Sequence, residues 1–485
     1  MGFGEARFLQ GSRPIGLEWR AGYGYVTFVV CLGIAVDLLV YSIIVPVMPF
    51  QLEKLGYDSI SSLTGWLLFS YSAGLAITTF PIAMWSERYN ARQWPLILGI
   101  LLLIGSIIML MEAPKFWLMV IARVLQGVGS TMVWVVGLAL LCDTAPERIV
   151  GRQLGFTMSG MSIGFFLGPP VGGALYKTFG FRGVCIFGVI VAFVDLVARL
   201  LVIERKEALR YGFDPHRAVS AEEPETEEPE TEGASTTEQS EKKTADVVEN
   251  RPEQQTESSD ESKKSEPQLS LIAVVIRLLR SSRAVGTVIC LFVYGIVNTA
   301  VEPALPIHMN EVWNFDSTKV GLIFIAAVVP SFPSSAIAGY LTDRWGTPSI
   351  VIASLILSIP WWFVLTVNTL GLFIVAFALE FFFISAALPP LTAELAEVSK
   401  QIEGIGYAHV YAFFNLAYGI GSTVGPIIGG QIFDNLGNGW FALCAIAAGW
   451  LALGTITSFF LIGEKPIFKQ LSNVLRRKHE DVEAS

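Results

Sequence analysis

The stretch Gly160-Met-Ser-Ile-Gly-Phe-Phe-Leu-Gly-Pro-Pro-Val-Gly-Gly173 sets a glycine at every fourth position of an apolar run, and its ending returns 257 residues later as Gly425-Pro-Ile-Ile-Gly-Gly430. Residues four apart share one face of a helix, and a face of glycines lets a second helix approach closely. Two further pairs repeat in the same order. Pro46-Val-Met-Pro49 matches Pro303-Ala-Leu-Pro306 at an offset of 257, and Ser86-Glu-Arg88 matches Thr342-Asp-Arg344 at an offset of 256. The chain therefore reads as an internal duplication.

Around these motifs lie twelve apolar runs, at 25–50, 62–84, 95–112, 116–140, 153–177, 183–203, 284–308, 318–341, 349–368, 370–392, 405–432 and 439–462. Each is near the length of about 20 residues that crosses a bilayer as a helix. The runs are continuous and do not alternate, which excludes barrel strands. Only a helix satisfies every backbone polar group inside its own segment. The expected fold is all-α and integral to a membrane: two six-helix bundles with the same orientation, related by a pseudo-two-fold axis along the membrane normal. Such a pair suits a transporter with its site between the halves at mid-membrane. The expected division is a cytosolic N-terminus 1–24, a bundle 25–203, a polar loop 204–283, a second bundle 284–462 and a cytosolic tail 463–485.

Composition agrees. Of 485 residues, 53% are apolar and 15% charged, against about 25% charged in soluble chains, and mean hydropathy is +0.56. That excludes a soluble enzyme and a nucleic-acid binder. The formal charge of −9 is mostly local: Glu204 to Arg283 holds 19 acidic and 12 basic residues. Its centre repeats EEPET, has almost no large apolar side chain and is expected to be disordered. The five cysteines lie in or beside apolar runs without metal spacing, so no metal, no cofactor and no disulfide is expected. With the N-terminus inside, 26 Lys and Arg fall on the inner side and five on the outer. Both termini and the long loop are therefore expected in the cytosol.

Specific motifs make the chain resemble the major facilitator superfamily. Gly339, Asp343, Arg344 and Gly346 match that family's loop motif, and Glu87 and Arg88 stand in a degenerate first-half copy. Arg123, Gln126, Gly127 and Gly129 match its fourth-helix motif. Gly160, Gly164, Gly168, Pro169, Gly172 and Gly173 match the fifth-helix motif associated with antiporters, and Gly425 and Pro426 lie in the eleventh-run counterpart. The chain is most similar to the twelve-span drug:proton antiporters, vesicular amine transporters among them, through ARVLQGVGS, LGPPVGG and EPALPIHM.

A charge at mid-membrane costs about 3 kcal/mol even on insertion scales, so each needs a reason. Asp37 lies mid-way along the first run with no basic residue one turn away. Away from water a carboxylate favours its neutral form, which suits proton exchange. Glu302 precedes Pro303 in the seventh run, where the missing N–H bends the helix beside an acid. The resemblance implies that Asp37 and Glu302 bind cationic substrate and protons, that Arg123 with Gln126 takes part in coupling, and that Glu397 aligns with a functional acid. It also exposes two departures: Tyr71 and Asn415 replace the Lys and Asp that form an ion pair in amine transporters. Asp195 and Arg199, four apart, are expected to pair structurally. Glu380 is a lone acid in the tenth run. Asp343 and Arg344 are expected to latch the inner side in one state and release it in another; Tyr41, Trp66, Tyr71, Trp134, Tyr294, Tyr411, Phe414 and Tyr418 are candidate cavity aromatics, with packing in the core or against lipid the commoner fate of any single one.

The expected function is a proton-coupled antiporter, not an enzyme, moving small cationic or amphiphilic compounds out of the cytosol across the plasma membrane or a vacuolar or vesicular one. It would work as a monomer with a small-molecule substrate and protons. The alternatives are a nutrient facilitator or symporter and a transport-dead receptor signalling through its loop. No nucleotide-binding signature is present.

Overall fold

The computed structural model describes residues 14–89, 92–214, 276–400, 407–464 and 466–468. Most of the polar insert, 215–275, lies outside the described residues, as do the side chains of Glu87, Asp343 and Asn415.

Among the described residues, twelve long helices account for the twelve apolar runs. The first half holds α1 (Tyr23–Ile44), α2 (Ile60–Tyr89), α3 (Gln93–Met111) and α4 (Phe116–Thr131), then a hairpin of α5 (147–179) and α6 (181–200). The second holds α7 (Ser282–Ala300), α8 (Ser317–Trp345), α9 (Thr347–Val364), α10 (Leu370–Ser385), α11 (Tyr407–Asn435) and α12 (Gly439–Leu461). Between α5 and α6 the chain reverses at Gly180, whose φ of 68° and ψ of −169° only glycine adopts readily. Short helices Leu17–Ala21 and Arg205–Arg210 sit on the face that also carries the loop entry, here called the terminal face.

Four of the runs are interrupted in matching places. Helix α1 stops before Pro46 and resumes as Met48–Lys54. Helix α7 stops before Pro303 and resumes as Leu305–Trp313. The Pro lacks the N–H that the ladder needs, and the Glu302 amide turns back instead to the Thr299 carbonyl at 3.3 Å. Helix α4 passes through a five-residue π-helical turn, Met132–Val136, into Gly137–Thr144, while α10 breaks and continues as Leu388–Lys400.

The glycine motifs explain the packing. A Cβ at Gly160, Gly164 or Gly172 of α5 would meet the backbone of α1 at Cys31, Ala35 or Ile43. In the second half Gly421, Gly425 and Gly429 of α11 lie in the same way on α7 at Phe292, Ile296 and Ala300. The last glycine of each motif faces the other half. Gly173 abuts Ser317 of α8, and Gly430 abuts Ser61 of α2. These contacts gather on the face opposite the termini. There the Ser317 hydroxyl donates to the Gly173 carbonyl at 3.0 Å, the Ser62 hydroxyl donates to the Gly430 carbonyl at 3.2 Å, and the Ser62 amide donates to Asp434 at 2.6 Å. Lys177 and Asp316 pair across the halves at 2.7 Å. On the terminal face the ion pairs Arg92–Asp143 and Arg283–Glu394, both 2.8 Å, each stay within one half. The structure is therefore closed on the far face.

Gly164→Leu should force α5 off α1 and cost about 1–3 kcal/mol or more by overpacking. Gly105→Leu, where nothing lies within 4 Å, should leave the melting temperature of the purified protein nearly unchanged; equal losses would contradict this packing. The Asp316 carboxyl is held below its usual range by the Lys177 hydrogen bond and the Lys319 amide. Only the ionised carboxyl pairs, so the tie is present at neutral pH and is lost as pH falls through that depressed value. Both side chains reach solvent, so a double-mutant cycle on unfolding should give at most about 1 kcal/mol, vanishing in strong acid.

Candidate functional site

The intramembrane charges singled out in the first half converge at the middle of the molecule. Asp37 of α1 is fully buried. Its Oδ2 accepts from the Ser130 hydroxyl at 2.6 Å, the Trp134 indole N–H at 3.0 Å and the Tyr71 hydroxyl at 3.4 Å. Ser130 ends α4 and Trp134 sits in the π-helical turn. One added residue in the turn re-aims the side chains that follow, and here it delivers an indole to a carboxylate. Oδ1 of Asp37 has no partner.

A second carboxylate joins from the other half. Tyr41, one turn after Asp37 on α1, donates to Glu302 Oε2 at 2.8 Å. The Tyr41 and Tyr71 rings lie 4.7 Å apart. Arg123 of α4 is fully buried beneath both rings, its guanidinium carbon 5.6 Å and 5.7 Å from their centroids. It donates to Gln126 Oε1 at 2.8 Å, while its Nε and Nη2 and the Gln126 Nε2 are without partners. The result is a chain of contacts from Asp37 through the Tyr71 hydroxyl, the adjoining Tyr71 and Tyr41 rings and the Tyr41 hydroxyl to Glu302, lying over a cation. It crosses from one half to the other. A cation over aromatic faces is attracted to them, and each tyrosine hydroxyl can supply a hydrogen bond to a carboxylate.

Tyr71 occupies a position the resemblance assigns to a charged lysine, and it serves Asp37 directly as a neutral donor. The Asp195–Arg199 pair forms as its spacing implies, at 3.1 Å and buried, with the Arg199 guanidinium against the α1 backbone at Gly33, one turn from Asp37. Glu380 lies inside the second half beside Ser358. Glu397 is exposed on Leu388–Lys400 near the terminal face and is not gathered with Asp37 and Glu302. Arg344 is exposed and lies over its own helix's Tyr340 at 4.7 Å, Gly346 has a φ of 80°, Gly339 has open space around it, and Arg88 is exposed. The side chains of Asn415, Asp343 and Glu87 lie outside the described residues.

Sequence reasoning missed Ser130 altogether and placed Trp134 only among general cavity aromatics. A signal existed: Arg123, Gln126 and Ser130 share one helix face. The π-helical turn that brings Trp134 onto it has no sequence mark.

Comparison with known proteins agrees with this architecture. The family model described as Major Facilitator Superfamily matches residues 30–283 and 287–482. The MFS-type transporter ppzB of Metarhizium rileyi is 25% identical over 93% of this chain and 97% of its own. The synaptic vesicular amine transporter of Bos taurus is 24% identical over 77% of this chain and 62% of its own. The crystal structure of a D-xylose-proton symporter superposes with a TM-score of 0.65 at 14% identity, covering 91% of this chain and 98% of that one. With two glycine-sealed six-helix halves and a polar chain between them, this protein belongs to the Major Facilitator Superfamily of membrane transporters.

Proposed function

We propose that this transporter is a proton-coupled antiporter that carries a small organic cation or amphiphile out of the cytosol by alternating access. The observation that carries the reading is the chain Asp37–Tyr71–Tyr41–Glu302, with one carboxylate on each half. A carboxylate enclosed among apolar helices is stable when protonated or when paired with a cation. Proton and cationic substrate then compete for the same acid, and competition at one site is what exchange requires. The unpartnered Oδ1 of Asp37 is the atom offered to either.

The Tyr41–Glu302 bond spans the halves, so separating them breaks it or replaces it. Arg123 keeps positive charge beneath both tyrosines and biases the acids toward releasing a proton when the site opens. Likeness to the amine transporter supports a cationic substrate, while Tyr71 and Asn415 argue for a different one from a monoamine. The excess of Lys and Arg on the terminal face supports cytosolic termini, and the far-face seal would then close the outer or luminal side of a plasma or vesicular membrane. A proton symporter is the second reading, supported by the same carboxylates and the sugar symporter's likeness in fold.

The test is uptake of cationic dyes into proteoliposomes carrying a proton gradient. Wild type should accumulate dye against the gradient, and Asp37→Asn should reduce uptake at least about tenfold, a loss of about 1.4 kcal/mol. Gradient-independent uptake, or an unaffected variant, would overturn the proton role, and proton entry alongside the substrate would select symport. Tyr41→Phe keeps the ring and loses the hydrogen bond to Glu302, which should weaken the tie between the halves by about 1 kcal/mol, read as a lower melting temperature and a changed uptake rate.

A further inference from the structure

Glu380 of α10 takes no part in the chain just described, yet it is 1% exposed in the interior of the second half. Its Oε1 accepts one long hydrogen bond, from Ser358 of α9 at 3.4 Å. Trp362, one turn further along α9, lies beside it, fully buried, with an indole N–H that has no partner. Tyr294 from α7 and Cys444 from α12 lie within electrostatic reach of it. Helix α8 contributes Phe324, packed on Phe377, and Ser334, bonded to the Phe382 carbonyl. The cations of these elements lie at their ends: Lys319 near the start of α8, Arg344 near its finish, and Arg283 at the start of α7, paired with Glu394. No described cation is paired with Glu380.

The internal repeat sharpens the point. Helices α4 and α10 begin at Phe116 and Leu370 and reach their interruptions after Thr131 and Ser385, 254 residues apart at both ends. That register places Glu380 opposite Gln126 and Phe377 opposite Arg123. The first half thus has a buried cation with an amide, and the second has a buried acid with the cation replaced by a phenyl ring. On the first helices of each half the substitution is reversed: Tyr294 stands opposite Asp37 at the 257 offset. Asn298 and Ser385 lie beside the Tyr294 hydroxyl, and Asn298 lies one turn before Glu302.

An ionised carboxylate without a cation is costly to enclose, so the acid is enclosed neutral. Two donors stand nearby and slack, the Ser358 hydroxyl and the Trp362 indole, ready to tighten if the group ionises. We infer that Glu380 is a second proton-binding site, in the second half, exchanging its proton with Glu302 through the Tyr294 hydroxyl, which Asn298 orients. The inference rests on the proton-coupled reading above. The step is a proton transfer alone. One O–H bond breaks on Glu380 as one forms on Glu302, with the Tyr294 hydroxyl taking up one proton as it gives up another, and nothing is oxidised or reduced.

Infrared difference spectra of the full-length protein in liposomes test the site without a substrate. One carbonyl stretch of a protonated carboxylic acid, separate from any that Asp37 and Glu302 give, should be present at neutral pH in wild type and missing in Glu380→Gln. It should fade on alkaline titration, and Glu302→Gln or Tyr294→Phe should move the midpoint. Its absence from wild type, or a band indifferent to pH and to Glu302→Gln, would overturn the inference. Should Glu380→Gln fail to fold, Ser358→Ala should shift the band by removing its hydrogen bond, and no shift would overturn it equally. In dye-loaded proteoliposomes Glu380→Gln should lower the number of protons exchanged per dye by one. An unchanged ratio in a coupled protein sinks this inference and leaves antiport standing; wild-type uptake indifferent to the gradient sinks antiport, and the infrared band then decides Glu380 alone.

Discussion

A charge enclosed among apolar helices must be met by a donor, a proton or a counter-charge, and the centre of this molecule is organised by that requirement. Asp37 takes three donors from two helices, Glu302 takes one from the opposite half, and Arg123 lies beneath the two rings that supply them. The atoms left over are as telling. Asp37 Oδ1 and two nitrogens of Arg123 are buried and unpaired in a site otherwise built around donors. Unsatisfied groups of this kind are expensive, and they mark where a proton, water or ligand changes the balance.

The scaffold that holds these groups is made by absence of side chains. Glycine rows on α5 and α11 seat those helices on the backbones of α1, which carries Asp37, and α7, which leads into Glu302 at its break. One residue further along each motif, Gly173 and Gly430 turn to the opposite half and close the far face. A single motif therefore fixes the acid-bearing helices and seals one end of the path. Relaxing one contact is felt at the other, because interiors packed backbone to backbone have little room to deform.

Much of this was legible from composition and spacing. Twelve runs, two halves and the duplication follow from hydropathy and from motifs 256 or 257 residues apart. Asp37, Glu302 and Arg123 stand out because charge is rare in such runs. What stayed hidden depends on tertiary geometry. Tyr71 reads as the loss of a charged residue, yet its hydroxyl reaches Asp37 from a helix 34 positions on. Trp134 is aimed by a π-helical turn, and Lys177 meets Asp316 only because the halves close. Glu397 was tied to function through alignment alone, and its place near the terminal face is set by the broken end of α10.

On the function we propose, protons and a cationic substrate contend for the carboxylates linked through Tyr71 and Tyr41. The most direct measurement is proton release from purified protein in weak buffer when a bound cationic dye is added. Protons should be released on binding and none in Asp37→Asn, which should bind dye weakly or without proton exchange. Tight binding to wild type with no proton released would contradict it.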